Sequence, residues 1–411
     1  MRLTLIDATL KDFAGHNYDY ARLVAAAVQR QGRAVRLIGS KAVGIAKGAD
    51  IAPITPWFAA SLKDDPLTAA TSWRAKIARL PVAGDLGRRT LRVARRLRVA
   101  AQPDEEAAQI AQAMPRLSDY LRLWSELDWG DDEVAFAPNL TWPEALLVAE
   151  AAVQRPLPAK RLIVLLRFDP PQSPTAIKRL REAAAFLGDK VAWCSDTQAL
   201  AAAHAAILGR LVTVAPIPID DTAIDAAAGC PADPGPHFGY FGEARREKGF
   251  HRLPEAIERL PSTEATFTVQ YTPGGGPKDF VIERALARLR RLPSARVELI
   301  EAALPTNALL KAMARCRVLL LPYASKAYRL RSSGLLCYAL ALGRVLIVPA
   351  GDNWLARTVD AEAAADRVVV WRPDEPLLGA MQRAEALASN VPMRRRLLAS
   401  QAGLDAPWLW P

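Results

Sequence analysis

Cysteine is scarce in this 411-residue sequence, and long apolar runs are absent from it. The cysteines are far apart, which excludes a disulfide framework and the closely spaced ligand pairs of a zinc site. There are four of them: Cys194, Cys230, Cys316 and Cys337. No apolar run approaches the ~18 residues of a membrane-spanning helix, and the chain leads from Met1 directly into an apolar strand, without the regions of a signal peptide. We therefore expect a cytoplasmic protein with reduced thiols and no bound metal.

Acidic residues are fewer than basic ones: the chain has 43 acidic and 54 basic residues, which give a net charge of +11. Part of the excess lies in segment 88–98, where six arginines are interleaved with leucine and valine. This pattern predicts a basic, partly amphipathic helix, for which a solvent-exposed face, peripheral contact with an anionic membrane and nucleic-acid binding are the open interpretations. Because no nucleic-acid-binding motif accompanies the arginines, we expect no nucleic-acid partner. Membrane contact, with a membrane-peripheral location, stays the functional alternative to a solvated face.

The length favours two domains, and the order of predicted strands and helices divides the chain accordingly. Residues 1–219 alternate strands and helices as a Rossmann-like domain does. The exception is a helical, basic stretch at about 57–130, which is poor in strand patterns and has the character of an insertion. Residues 220–237 are rich in alanine, proline, glycine and aspartate, the composition of an interdomain linker.

Strands and helices alternate again over residues 238–390, which predicts a second doubly wound domain. Residues 391–411 are predicted to form a helical tail that packs back across the domains. The predicted fold class is therefore α/β, with two doubly wound Rossmann-like domains that face each other across a cleft. Open α/β sheets bind ligands outside the carboxyl ends of their strands, so we expect the functional site in that cleft.

A strand, a glycine and a basic loop precede a predicted helix at His237–Gly249, HFGYFGEARREKG. Gly242 ends the strand, and Lys248 stands in the loop directly before the helix. Backbone N–H groups, a helix N-terminus and cations are the elements of a phosphate site. A second helix begins at Arg331–Gly334, RSSG, and together the two helix starts predict a nucleotide diphosphate ligand.

These motifs resemble the GT-B-fold glycosyltransferases, and specifically the retaining group-one type. The family motif G-R-L-x-x-x-K-G, whose arginine and lysine hold the donor diphosphate, stands here as GEARREKG from Gly242, with the glycines and the lysine in register. Glu243 occupies the arginine position, and Arg245 or Arg246 is the candidate substitute. Segments 304–323 and 334–349 resemble the family's helix–strand units around the donor pocket. The resemblance implies retaining transfer of a sugar from a nucleotide sugar to a glycan or lipid-linked acceptor.

One family feature is missing from the chain. The family carries two carboxylates in an E-x7-E pattern, the second of which holds the donor ribose, whereas this sequence has Leu330 and Tyr338 at those positions. A tyrosine hydroxyl offers one contact and no bidentate carboxylate grip. The missing carboxylates suggest one alternative function, a catalytically silent nucleotide-sugar-binding or scaffold protein. A second alternative is a nucleotide-sugar epimerase of the same fold, which needs acidic general bases in the cleft.

The candidate site residues fall into three groups. The donor-binding candidates are Gly242, Arg245, Lys248, Ser332, Ser333, Gly334 and Tyr338. The acceptor-binding candidates are Gly15, Asn139 and Arg167. The catalytic candidates are His16, as a proton-shuttling or orienting imidazole, and Asp169. We expect no metal and no cofactor, the nucleotide-diphosphate sugar being the donor substrate.

Several of these residues also have purely structural interpretations. Ser332 and Ser333 suit the N-cap of the following helix, and Asp196 suits the N-cap of another. His16 suits a surface or capping position, and Tyr338 suits an aromatic residue in the core.

Overall fold

The computed structural model describes residues 1–10, 16–41, 54–58, 113–215, 217–261, 264–273 and 279–398, together with Ala52 and Ile110. Gly15 and the basic segment 88–98 lie outside the described residues. Two parallel sheets with alternating helices make up the described chain, as predicted.

The first sheet has seven parallel strands in the order β3-β2-β1-β4-β5-β6-β7. Its strands are β1 Arg2–Ile6, β2 Ala34–Ser40, β3 Ile54–Phe58, β4 Glu133–Leu140, β5 Arg161–Leu166, β6 Val191–Ser195 and β7 Val212–Val214. The helices between them are α1 His16–Arg30, α2 Pro115–Glu126, α3 Trp142–Gln154, α4 Pro174–Leu187 and α5 Gln198–Leu208. The order reverses between β1 and β4, where a crevice opens at the carboxyl ends of the strands.

The local sequence explains these elements. Strand β5, RLIVLL, is buried from its second residue onward, as expected of a parallel strand covered by helices on both faces. Helix α3 begins with a capping box, in which the Thr141 side chain accepts from the Glu144 N–H and the Glu144 carboxylate accepts from the Thr141 N–H. Helix α5 ends at Gly209, whose φ of 64° is left-handed.

Both ends of the stretch 57–130 belong to the first domain. Phe58 ends strand β3, and its ring packs edge-on against Tyr120 of α2 with the centroids 5.2 Å apart. In its described part this stretch holds the last two residues of strand β3 and the predicted helical structure of α2. Strand β3 is five residues long and contains Pro56. It therefore shows little of the alternation of apolar and polar residues by which a strand is predicted from sequence.

The second sheet has six parallel strands in the order β10-β9-β8-β11-β12-β13. Its strands are β8 His237–Ala244, β9 Thr266–Pro273, β10 Val297–Ile300, β11 Val318–Leu320, β12 Val345–Pro349 and β13 Val368–Trp371. The helices are α6 Asp221–Ala228, α7 Leu253–Arg259, α8 Phe280–Leu289, α9 Thr306–Arg315, α10 Gly334–Ala341, α11 Trp354–Ala361 and α12 Leu377–Ala388. This sheet reverses its order between β8 and β11, directly before the predicted phosphate-binding loop.

The stretch predicted to be a linker, residues 220–237, contains helix α6, which packs against α9. The structure describes residues 391–398 of the predicted helical tail. For these residues the prediction is wrong, because they contain no helix. Pro392 disfavours helix at this point. Arg395 instead binds Asp221 and Asp225 of α6, at 2.5 and 2.6 Å.

Among the described residues, no helix has the length and apolar character needed to cross a membrane.

Candidate active site

The second sheet's crevice holds Gly242 and Lys248, together with the first turn of α10. Gly242 has a φ of 121°, and a Cβ at this position would lie 3.2 Å from Lys248 Nζ and 3.2 Å from Leu335 Cδ1. The Gly242 N–H is held by Gln270 Oε1 at 3.1 Å. The predicted glycine, lysine and helix start are therefore brought together at the carboxyl end of β8.

A close backbone approach positions the lysine. Gly249 has a φ of 72°, and a Cβ there would lie 2.1 Å from the Pro322 carbonyl oxygen, just beyond strand β11. The same approach brings Lys248 Nζ to 5.9 Å from the centre of the Tyr323 ring, within the range of a cation–π contact. Gly249 thus sets the distance between the basic loop and the segment after β11.

Replacing Gly249 with alanine should destabilise the protein by about 2–4 kcal/mol, because a left-handed backbone and a steric clash add together. Gly235 provides the matched control: it has a φ of 77°, and among the described residues nothing lies within 4 Å of its Cβ position. Gly235→Ala should therefore cost only the backbone term, about 1 kcal/mol. Chemical unfolding of the two variants measures the difference, and equal losses would contradict the packing role of Gly249.

The structure distinguishes the two candidate arginines of the basic loop. Arg246 binds Asp279, the N-cap of α8, with two bonds of 2.6 and 2.7 Å, which directs it away from the crevice. Arg245 lies against Glu243 at 2.7 Å and Glu247 at 3.4 Å, within its own loop. Of the two, Arg245 is the better candidate for binding an anionic ligand in the crevice, because its partners lie on the same loop.

The N-cap interpretation is wrong for Ser332 and Asp196, and for Ser333 it holds in position only. Ser333 is the N-cap residue of α10, but within the described part of the chain its side chain makes no capping bond. Ser332 donates to Asp196 Oδ2 at 2.5 Å, and it is Thr197 that caps α5 by accepting from the Leu200 N–H. The backbone N–H groups at the start of α10 are therefore not covered by Ser333, an arrangement that suits an anion.

Side chains of the first domain meet the start of α10 across the cleft. Asp196 accepts from Arg167 Nε at 3.0 Å, and both side chains are buried. Thr197 Oγ1 donates to the carbonyl of Leu330 at 2.8 Å, and Asp169 pairs with Arg331 at 3.0 Å. Two predicted first-domain residues, Arg167 and Asp169, thus lie on the cleft side of their sheet and close to the second domain.

The crevice of the first sheet contains a carboxylate that the sequence did not single out. Asn139, with a left-handed φ of 60°, donates to Thr9 Oγ1 at 3.4 Å. Thr9 in turn donates to Asp7 Oδ1 through its hydroxyl at 2.6 Å and its backbone N–H at 2.8 Å. Asp7 directly follows the buried strand β1. This position at the carboxyl end of a strand is the sequence feature that could have identified Asp7 as a candidate site residue. Burial raises the pKa of Asp7 to about 6.

The raised pKa of Asp7 predicts a pH-dependent stability. The folded protein keeps this proton up to about pH 6, while the unfolded chain releases it near the ordinary value of 3.8, so stability falls as the pH rises through that window. Asp7→Asn should be more stable than the wild type at pH 8, by up to about 3 kcal/mol, and similar to it near pH 4. Unfolding at both pH values measures this, with the exposed Asp189→Asn as control. A less stable Asp7→Asn at pH 8 would show that the anion is stabilised by its neighbours.

Two candidates remain, His16 and Tyr338. His16 is the first residue of α1. Tyr338 lies on α10 with 8% of its surface exposed, inside an apolar cluster. Burial, and after it the charges of Asp19 and Asp220, raise the pKa of its hydroxyl. Tyr338 therefore lies near α1, which carries Asp19, and near Asp220, which precedes α6. Its burial in the apolar cluster agrees with its interpretation as a core aromatic residue.

No protein-family model and no curated protein matches the sequence. Solved structures match over nearly the whole chain. A trehalose-6-phosphate synthase has a TM-score of 0.63 at 14% identity, covering 100% of this chain and 97% of its own. The sucrose-phosphate synthase of Thermosynechococcus elongatus has a TM-score of 0.59 at 14% identity, covering 94% and 91%.

A third structure is the alpha,alpha-trehalose-phosphate synthase (UDP-forming) of Burkholderia xenovorans in complex with glucose-6-phosphate. Its TM-score is 0.60 at 13% identity, covering 95% of this chain and 93% of its own. At such identities the likeness concerns the fold. The chain therefore has the two-sheet fold of trehalose-phosphate and sucrose-phosphate synthases, and this is the GT-B-like architecture that the sequence predicts.

Proposed function

We propose that the protein is a glycosyltransferase that moves a sugar from a nucleotide-diphosphate donor to a glycan or lipid-linked acceptor. The observation that carries this proposal is the convergence of Gly242, Lys248 and the first turn of α10 at the crevice of the second sheet. Open α/β sheets bind ligands at this place, and the elements gathered there suit phosphate.

The leaving group of such a transfer is a nucleoside diphosphate, so stabilising its charge is the main demand on the protein. Lys248 supplies a cation beside Gly242, and Arg245 supplies a second one on the same loop. The N–H groups at the start of α10, beside Ser332, Ser333 and Gly334, supply neutral donors. Together these groups can hold the departing diphosphate.

The acceptor is proposed to lie on the first-domain side of the cleft. Asn139 stands at the crevice between β1 and β4, while Arg167 and Asp169 follow strand β5. His16, at the start of α1, and Asp169 are the proposed groups for handling the acceptor proton. The fold neighbours support a nucleotide-sugar donor and a sugar acceptor, because one of them is described as UDP-forming and in complex with glucose-6-phosphate.

The test is turnover with a panel of UDP-, ADP-, GDP- and dTDP-sugars and with mono- and oligosaccharide acceptors. Sugar transfer to any acceptor supports the proposal, whereas conversion of a nucleotide sugar without acceptor identifies an epimerase. Leu330 and Tyr338, which replace the family's two carboxylates and are both buried, favour a second candidate, a binding protein without turnover. Nucleotide-sugar binding without any product would establish that candidate.

We also propose peripheral contact with an anionic membrane through the arginine-rich segment 88–98. Co-sedimentation with vesicles that contain phosphatidylserine should fall when Arg92, Arg95 and Arg96 are replaced by glutamate, since each basic residue near such a surface contributes about 1 kcal/mol. Neutral phosphatidylcholine vesicles are the control. Unchanged or absent binding to the anionic vesicles would leave the segment as a solvated face.

A further inference from the structure

Arg331 borders the candidate diphosphate site and has no role in the function described so far. It stands three residues before the first residue of α10. Its Nη1 is 4.0 Å from Glu247 Oε1, and Arg245 Nη1 is 3.4 Å from the same oxygen. Since Glu247 immediately precedes Lys248, the guanidinium of Arg331 lies beside the basic loop.

A carboxylate from the first domain binds Arg331 in this structure. Asp169 Oδ2 accepts a hydrogen bond from Arg331 Nε at 3.2 Å and lies 3.0 Å from Arg331 Nη2, so the pair is a hydrogen-bonded ion pair. The neighbouring Phe168 ring has its centre 5.8 Å from Arg331 Cζ. The exposed fractions of the two charged side chains are 29% for Arg331 and 42% for Asp169, which leaves the pair accessible to a solute.

The next residue repeats this arrangement. Ser332 donates to Asp196, another first-domain carboxylate that stands at the end of a strand. Two consecutive residues that lead into α10 are thus engaged by carboxylates from across the cleft. Carboxylate and phosphate oxygens accept the same hydrogen bonds from arginine and hydroxyl groups. The first domain therefore offers carboxylate oxygens where a diphosphate would offer phosphate oxygens.

In the described part of the chain, both arginines at this site are paired with carboxylates before any ligand enters. Arg245 lies within 4 Å of Glu243 and Glu247, and Arg331 lies within 4 Å of Asp169 and Glu247. A diphosphate adds negative charge and is opposed by every carboxylate that stays. Glu243 and Glu247 are fixed on the same loop as Arg245. Asp169 belongs to the other domain, so it is the one carboxylate of the three that the basic loop does not carry.

We propose that Arg331 is a binding residue for the donor diphosphate and that Asp169 occupies its guanidinium until the donor arrives. This inference rests on the proposed function. The phosphate oxygens replace the Asp169 oxygen on Arg331, and the released carboxylate stays on the acceptor side of the cleft. Donor binding is thereby coupled to breaking a contact between the domains.

The test is the affinity for UDP, ADP, GDP and dTDP, measured by titration calorimetry on the full chain. Asp169→Asn should bind the preferred diphosphate about two- to fivefold more tightly, because an exposed ion pair competes with the ligand only modestly. Arg331→Gln should bind it about tenfold or more weakly. The double variant should show no gain over Arg331→Gln alone. Glu258→Gln, which removes the partner of Arg288 from an ion pair of similar exposure, should leave the affinity unchanged.

The outcomes separate this inference from the function on which it rests. A wild type that binds a diphosphate, with Asp169→Asn no tighter or Arg331→Gln unaltered, overturns the inference alone. A folded wild type that binds none of the four diphosphates overturns the proposed function as well. A gain in affinity in Asp169→Asn that persists in the double variant would also overturn the role of Arg331. Asp169→Ser repeats the test if the asparagine variant unfolds at a lower temperature than the wild type.

Discussion

Replacing Lys248 with alanine should weaken the binding of a nucleoside diphosphate by about 1–3 kcal/mol, roughly five- to 150-fold, the range for a lost charge-assisted contact. The Nζ atom and the side chain of Leu335, in the first turn of α10, both lie 3.2 Å from the Cβ position of Gly242, so we expect a phosphate bound at that helix start to lie close to the ammonium. Titration calorimetry with UDP, ADP, GDP and dTDP measures the loss.

Lys311→Ala provides the matched control, because this lysine is exposed on α9 of the same domain. The control should retain the wild-type affinity and shows whether net charge alone matters, since long-range charge effects are screened at physiological salt. Raising the salt concentration should weaken the wild type more than Lys248→Ala. Equal affinities of Lys248→Ala and the wild type would remove Lys248 from the diphosphate site.

The sequence predicted the architecture because patterns of strands and helices are local. The buried run RLIVLL and the strand, glycine and lysine around Gly242 each identify a strand that leads into a loop, and two such series give two parallel sheets. Crossovers between parallel strands are right-handed in nearly all proteins, which limits the possible strand orders. These rules also bring Gly242 and Lys248 to the crevice of the second sheet.

The side-chain partners could not be predicted in the same way. Asp196 and Ser332 are 136 residues apart in the chain, and their hydrogen bond depends on how the two domains meet. Asp196 precedes a helix, so N-capping was the local expectation, yet Thr197 is one residue nearer to the helix and caps it. The choice between Arg245 and Arg246 likewise depends on Asp279, which a separate helix brings to Arg246. Such long-range partners leave no signal in the local sequence.

The burial of Asp7 is a similar case. Its position at the end of β1 is visible in the sequence, but its environment is completed by Thr9 and by Asn139 from the neighbouring strand β4. A strand end is a common place for a functional carboxylate, while enclosure by another strand raises its pKa. Local pattern therefore identified the crevice, and tertiary packing determined the chemistry inside it.

Replacing Tyr338 with glutamate should destabilise the protein by about 3 kcal/mol or more, because it places a charge in a buried site. The tyrosine is 8% exposed and belongs to the apolar cluster around α10. Its charged neighbours include Asp19 and Asp220, so a new carboxylate meets two like charges. The nearby cation, Arg22, already forms an ion pair with Asp220, so the new glutamate would have to share Arg22 with that aspartate. Chemical unfolding measures the loss.

The same variant tests whether position 338 can grip a ribose, as the matching family carboxylate does. A carboxylate can accept hydrogen bonds from two hydroxyls at once, so an intact pocket would make Tyr338→Glu bind the nucleotide more tightly than the wild type. From the burial of this side chain we expect no gain. Tyr338→Phe keeps the ring without the hydroxyl and should change both stability and affinity little, within about 1 kcal/mol. Retained stability with tighter nucleotide binding in Tyr338→Glu would instead place this residue in the donor pocket.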